Sequence, residues 1–373
     1  MTEDAVDVAV IGAGPAGTCA AIAARAAGAR VTIVERSTFP RTKVCGCCLS
    51  PAGVAVLRRL GAEAAIRDAL PLHDVILECS GAQARIRGDR GVAIGRDALD
   101  PALLQCAAAR GVQVRMGCSA TIDGPGRVLV GPREDGVRSV LEASVVVVAD
   151  GLAGTALGGH ASTAWRWTVA PRSRMGFGAV LPAATLRCPV GSILMRVQHG
   201  GYIGAVRLPD GRVDVAAAAD PAVVRRFGGP AGCALAWLGE SVVDRAAVAD
   251  APWRGTPTLT RRRATVSGEG VMLVGDAAGY VEPFTGEGMG WAMRSGAAAG
   301  TLAAEVARHA ASTAAWPRLL RDITHRDRLR CRGIAIALRN PALVGGAIRA
   351  SRIAPWILDA FARRIGRIAA EHG

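Results

Sequence analysis

Val271-Met-Leu-Val-Gly275-Asp276-Ala-Ala-Gly279-Tyr-Val-Glu-Pro283-Phe-Thr-Gly286-Glu-Gly288-Met289-Gly290-Trp-Ala292 is the stretch that decides the fold. Four apolar residues run into Gly-Asp, which predicts a buried strand delivering one carboxylate to its C-terminal end. A Pro/Gly-rich loop follows, and then a helix of small residues. Its partner stands at the other end of the chain: Val6-Asp-Val-Ala-Val-Ile-Gly12-Ala-Gly14-Pro-Ala16-Gly17. That segment reads as a strand, a G-x-G-x-x-G turn and an Ala-rich helix, the arrangement that seats a dinucleotide pyrophosphate on a helix N-terminus. Each segment is shaped for close backbone approach.

Two such sites predict one elongated ligand gripped at both ends, and FAD fits that description. The first segment continues as a βαβ unit: strand 6–11, helix 15–27 and strand 29–35, with Gly28 ending the helix. Glu35 closes the second strand, where a carboxylate accepts from ribose hydroxyls. Ala16 in the turn and Arg36 beside Glu35 count with the cofactor-binding residues. No histidine or cysteine is marked as an attachment point, so the FAD is expected to be noncovalent.

Composition narrows the class. Half of the 373 residues are apolar, enough for a large core. No uninterrupted apolar run reaches the length of a spanning helix. Glu3, Asp4 and Asp7 at the start leave no basic n-region for a signal peptide, which predicts a cytoplasmic protein. The ten cysteines are scattered, as free thiols acting as small apolar residues would be. The net charge is +14, and Lys43 is the only lysine. About half of that excess sits in residues 321–373, where eleven Arg face four acids. Aromatics are sparse and no nucleic-acid motif occurs, so nucleic acid is not an expected partner. Interleaved with Ile334, Ile336, Leu338, Ile348, Ile353, Trp356, Ile357 and Ile365, the basic C-terminus suits either peripheral contact with anionic lipid or a lid over the domains.

The expected organisation is α/β. A discontinuous Rossmann-like FAD-binding domain takes residues 1–74, 92–160 and 264–305. An antiparallel-sheet substrate domain, residues 75–91 and 161–263, is inserted into it, with strands separated by turns such as Pro209-Asp-Gly211. A helical region, 306–373, ends the chain, interrupted by Pro317, Pro341 and Pro355.

With both ends and their order in place, the chain resembles the FAD-dependent oxidoreductases of the p-hydroxybenzoate hydroxylase fold. Within them it is most similar to the geranylgeranyl-reductase-like and flavin monooxygenase branch. Gly12, Gly14, Gly17 and Glu35 match the ADP-binding motif. Arg96 matches an arginine that contacts FAD at the start of a helix. Asp276 matches the ribityl-binding carboxylate. Pro283, Gly286, Gly288 and Met289 match the loop against the isoalloxazine, where a helix N-terminus would face the N1–C2=O2 edge. There are departures. Asp150-Gly151 is followed by Leu152-Ala-Gly-Thr155-Ala-Leu-Gly158 without the family's closing Arg, which puts the usual NAD(P)H docking in question. Trp165-Arg-Trp167 is similar to the W-x-W of flavin-dependent halogenases, but Thr168-Val169 replaces Ile-Pro and Lys43 lies in the wrong stretch.

Cys45-Gly46-Cys47-Cys48 is the most unusual local feature. It lacks the further ligands of a metal site. It reads either as tight packing beside the cofactor or, through Cys47, as a proton or redox group. Glu282 and Glu287 flank the flavin loop. Arg172-Ser-Arg174 reads as a solvated strand start or an anion site. The resemblance implies an NAD(P)H-dependent hydroxylase of a hydrophobic small molecule, working through a flavin C4a-hydroperoxide, with Pro283, Gly288 and Cys47 at the reacting centre. The alternatives are reduction of isoprenoid C=C bonds and a non-enzymatic FAD-binding or electron-transfer protein.

Overall fold

The computed structural model describes residues 5–132, 138–158, 165–282, 284 and 286–351. Val6–Ile11 lies at the centre of a parallel sheet, paired with Ser139–Val148 on one side and Val31–Glu35 on the other. Val271–Leu273 and Gln113–Met116 extend the sheet in the same direction, and Ser267–Gly268 adds a short antiparallel edge. These strands are runs of apolar residues because helices cover both faces. Val8, Ala9, Val10 and Val145 to Val148 are fully buried. Parallel alignment has a consequence for the site. The C-terminal ends of three strands lie side by side, so Gly12, Asp150 and Gly275-Asp276 meet.

Ser139–Val148 begins well before its run of four valines, Val145 to Val148. Its first half alternates buried and exposed residues and pairs with a hairpin, Cys118–Gly124 and Arg127–Pro132. One covered face there replaces two, and the sequence pattern weakens accordingly.

Two helices lock the sheet's upper edge. Pro15–Ala26 crosses Gly288–Ala307 with no room between them. A Cβ on Gly296 or Gly300 would stand 2.0 or 2.1 Å from the carbonyl oxygens of Ala16 and Ala20. Only glycine permits that approach.

A second, seven-stranded sheet runs in the order Arg254–Thr258, Met175–Leu181, Val213–Ala219, Gly201–Arg207, Ser192–Gln198, Asp74–Cys79, Ala82–Arg87. All its pairs are antiparallel except Ser192–Gln198 with Asp74–Cys79, which is parallel. A strand pair from early in the chain thus completes a sheet built mostly from later residues.

Two helices, Trp316–Ala337 and Pro341–Ser351, follow. Pro317 sits in the first turn of one and Pro341 begins the other, positions where a missing N–H costs nothing. The prolines therefore start helices rather than interrupt them. Leu338 and Ile348 pack with Leu77, Ile86 and Val197 of the second sheet. Among the described residues, no helix is long and apolar enough to cross a membrane. Pro355 and the apolar positions Ile353, Trp356, Ile357 and Ile365 lie outside the described residues.

Candidate functional site

A single cavity of about 530 Å³ runs from Gly14 and Ala16 past Arg36 to Asp276 and the segment Gly286–Met289, and on to the inner face of the second sheet. Both motifs read from the sequence open onto it. This continuity is what an extended dinucleotide requires.

At the first end, Gly12 has φ +104°, and a Cβ there would strike Ala149. Above Gly14 stand two guanidinium groups, with Arg96 Nη2 3.6 Å and Arg41 Nη2 3.7 Å from where a Cβ would be. Arg96 holds Asp100 with two bonds of 2.7 Å, and Arg41 bridges Glu35 at 2.8 Å and Asp100 at 3.1 Å. The free N–H groups of the helix N-terminus and two cations thus surround one glycine, a setting made for a pyrophosphate. Arg41 has no sequence signature; only the fold carries it to Gly14. Glu35 is buried and accepts from Ala13 N at 2.8 Å and Ser37 N at 2.9 Å as well as from Arg41. Three of its roughly four acceptor sites shape the turn. Little acceptor capacity is left for ribose hydroxyls.

At the other end, Asp276 follows its strand into the cavity, and burial raises its pKa while Lys43 and Arg96 oppose the rise. Lys43 also lines the cavity and stands over Gly151, with Nζ 3.1 Å from where a Cβ would be. Enclosure, followed by the charge of Arg96, lowers its pKa. Its place in the sequence does not match the lysine of a halogenase; the fold puts it in the same cavity as Asp276. Gly288–Ala307 begins at the flavin loop, and Gly288 and Met289 line the cavity. Pro283 lies outside the described residues. Glu287 stands just before this helix and accepts from Ser50 Oγ at 2.9 Å; burial pushes its carboxyl up to about 7.

The cysteine segment forms the wall between the two sheets. Cys45 and Cys48 line the cavity, whereas Cys47 is only 2% exposed and stands behind them. The Cys47 thiol, with Arg96, brings Cys45 down to about 6 against the opposing effect of burial. Cys47 moves up for the same reason, and so does Cys48 through burial. All ten cysteines are free, and among the described residues no group of side chains is arranged to hold a metal.

Several sequence expectations resolve differently. Arg174 is neither a solvated strand start nor an anion site; it is 1% exposed and bonded to Glu282 at 2.9 Å. Trp167 packs under Arg263 and Arg261, at 3.9 and 5.2 Å from the ring centre, while Trp165 packs against the main core. Asp150 accepts from Ala156 N at 2.9 Å and turns the chain there. No aromatic-rich motif occurs in the sequence. Even so, Tyr202 and Tyr280, the chain's two tyrosines, both line the cavity, and Tyr202 meets Phe284 edge-on at 4.9 Å.

The family model described as an FAD binding domain matches residues 5–170. A menaquinone reductase of Mycolicibacterium smegmatis is 32% identical over 363 residues, covering 90% of this chain and 85% of the relative. Among solved structures, a flavoprotein/dehydrogenase from Cytophaga hutchinsonii superposes with a TM-score of 0.81 at 19% identity, covering 99% of this chain and 96% of that one. A geranylgeranyl bacteriochlorophyll reductase-like protein from Thermoplasma acidophilum gives 0.75 at 19% identity, covering 93% and 91%.

Proposed function

The chain belongs to the FAD-binding-domain family of FAD-dependent oxidoreductases, and within it we propose that the protein reduces a C=C bond in the isoprenoid chain of a menaquinone-type lipid. The observation that carries this reading is the cavity wall. Val75, Leu77, Ile86, Ile193, Met195 and Val206 give it an apolar lining, and Cys48, a thiol that burial keeps protonated, opens onto the same space. Adding hydrogen across a double bond needs a hydride and a proton. Bound FAD would supply the hydride. The proton has to come from the protein, because an apolar cavity filled by a lipid chain excludes water. The reductase name of a relative matched over nine-tenths of this chain supports the same reading.

The remaining residues have binding and orienting roles. Gly14, Arg41 and Arg96 would hold the pyrophosphate, and Asp276 the ribityl hydroxyls. The N-terminus at Gly288 would favour negative charge on the reduced ring edge. Tyr202 and Phe284 give the chain a flat surface beside the flavin loop. NAD(P)H is the reductant in this reading. Hydroxylation would need the same dry cavity but gives no role to buried proton donors.

The test is anaerobic. Protein reduced under nitrogen is mixed with a menaquinone bearing an unsaturated tail, and the product is weighed. A gain of two hydrogens in the tail supports reduction. No change until air enters, followed by gain of an oxygen atom, refutes it.

A substrate of this class is met at a bilayer, and one surface suits that encounter. Leu329 and Ile336 on helix Trp316–Ala337 and Leu343 on helix Pro341–Ser351 are 51, 68 and 66% exposed. Arg326, Arg332 and Arg339 are exposed beside them. Apolar residues flanked by arginines fit an anionic lipid surface. Sedimentation with phosphatidylglycerol vesicles, lost in a variant with serine at the three apolar positions, is the expected result. Equal partition of the variant and the parent refutes the contact.

A further inference from the structure

Asp214 lies in Val213–Ala219, an inner strand of the second sheet, between Val180 and Val206 of its neighbours. It is 4% exposed and borders the cavity, and among the described residues its Oδ2 has no hydrogen-bond partner. Leaving a buried polar group unpaired is costly, and nearly all such groups in folded proteins find a partner. Arg212, two residues away, is engaged by Asp97 at 2.7 Å and Asp210 at 2.6 Å.

Across the strands, the same face of the sheet turns apolar. Asp214 is paired in register with Val206, Val206 with Ile193, Ile193 with Val75, and Val75 with Ile86. All five residues border the cavity. One carboxyl and four apolar side chains on successive strands thus form a row that ends on the edge strand Ala82–Arg87. Neighbouring strands lie about 4.8 Å apart, close to the reach of one extended isoprene unit. Past Ile86 the cavity continues to Asp89, which is exposed.

We propose that this row seats a prenylated ring lengthwise, with Asp214 hydrogen-bonded to a ring oxygen and about four isoprene units lying over Val206, Ile193, Val75 and Ile86. The remainder of a longer tail leaves past the edge strand. For the identity of the ligand this rests on the reductase reading. Burial raises the affinity of Asp214 for its proton, so the carboxyl can donate to a ring carbonyl, which has no proton of its own. A hydrocarbon tail offers the carboxyl nothing, so Asp214 marks the end at which the ring sits. Its role is to select the ligand and fix its direction, and it takes no part in hydride or proton transfer.

Affinities of the flavin-loaded full chain test this, read by flavin fluorescence in a fixed detergent. The probes are menadione, which is the ring without a tail, and menaquinones of increasing tail length. The ratio of wild-type to variant affinity at each length cancels partition into the detergent. Asp214→Leu should weaken menadione binding about tenfold, and Asp214→Asn, which keeps a donor, should restore most of it. Ile86→Trp should spare menadione and short tails and weaken only those long enough to reach the edge strand. With Ile193→Trp the loss should set in at tails about two units shorter. Menadione binding indifferent to Asp214→Leu overturns the proposal, and so does an Ile86→Trp effect that does not depend on tail length. If the expected pattern appears but the anaerobic mixture returns menaquinone unreduced, the reductase reading fails while the seat stands. Reduction without the pattern leaves the reductase reading and removes the seat.

Discussion

The molecule has two internal seams, and they are built on opposite principles. Between helices Pro15–Ala26 and Gly288–Ala307 the contact is made by missing atoms: Gly296 and Gly300 let backbone meet backbone. Between the flavin half and the second sheet it is made by a charged pair taken out of water, Arg174 with Glu282. The first seam has one steric solution and holds the cofactor frame rigid. The second holds an ion pair out of water. Rigidity is placed where FAD must be gripped, and titratable groups where chemistry is expected.

If that contrast is right, the two seams should break in different ways. The largest effect is expected at the first. Gly296→Val would drive a side chain into the Ala16 carbonyl, and because the obstacle is backbone the cost should exceed the roughly 1–3 kcal/mol usual for overpacking. We expect no folded flavoprotein, checked by the yield of yellow soluble protein. A well-folded variant with normal flavin content would remove the distinction between the seams.

At the second seam, Arg174→Met leaves Glu282 buried without its partner and should cost about 3–5 kcal/mol. Urea unfolding reads this directly. Replacing both members, Arg174→Met with Glu282→Leu, should recover most of the loss, as no second change could do for Gly296→Val.

The start of helix Gly288–Ala307, within the flavin half, should respond to pH. Glu287 titrates near 7 when folded against 4.5 in the open chain, so the folded state holds the proton more tightly. Its contribution is therefore most favourable below about 4.5 and is lost as pH rises to 7, by about 3 kcal/mol in all. Glu287→Gln should flatten that part of the stability–pH curve of the flavin-free protein. Parallel curves for the two proteins between pH 4.5 and 7 would show that the carboxyl is not held neutral.

The smallest effect tests the cofactor grip itself. Asp276→Ala should weaken FAD binding by about 1–3 kcal/mol, or roughly 5- to 150-fold, while the fold persists. Flavin retention during dialysis measures it. Undiminished retention would mean that Asp276 serves Lys43 and Arg96 rather than the ligand.

The sequence alone carried the parallel sheet, the glycine turn, the strand that ends at Asp276 and the expectation of FAD. These are local patterns. A buried parallel strand must be apolar throughout, and a backbone that approaches a phosphate or another helix must be glycine, so each constraint is written at its own position. Tertiary structure decided what depends on distance. Arg41 reaches Gly14, Lys43 reaches Asp276, Arg174 finds Glu282, and Tyr202 meets Phe284 across segments that share no motif. An ionisable side chain in a strand reads the same whether it faces water or a partner contributed from far along the chain. Asp214 was the least legible, sitting in a run of valines and alanines as one polar residue among apolar ones. Only the fold shows it buried, with an Oδ2 that has no hydrogen-bond partner among the described residues.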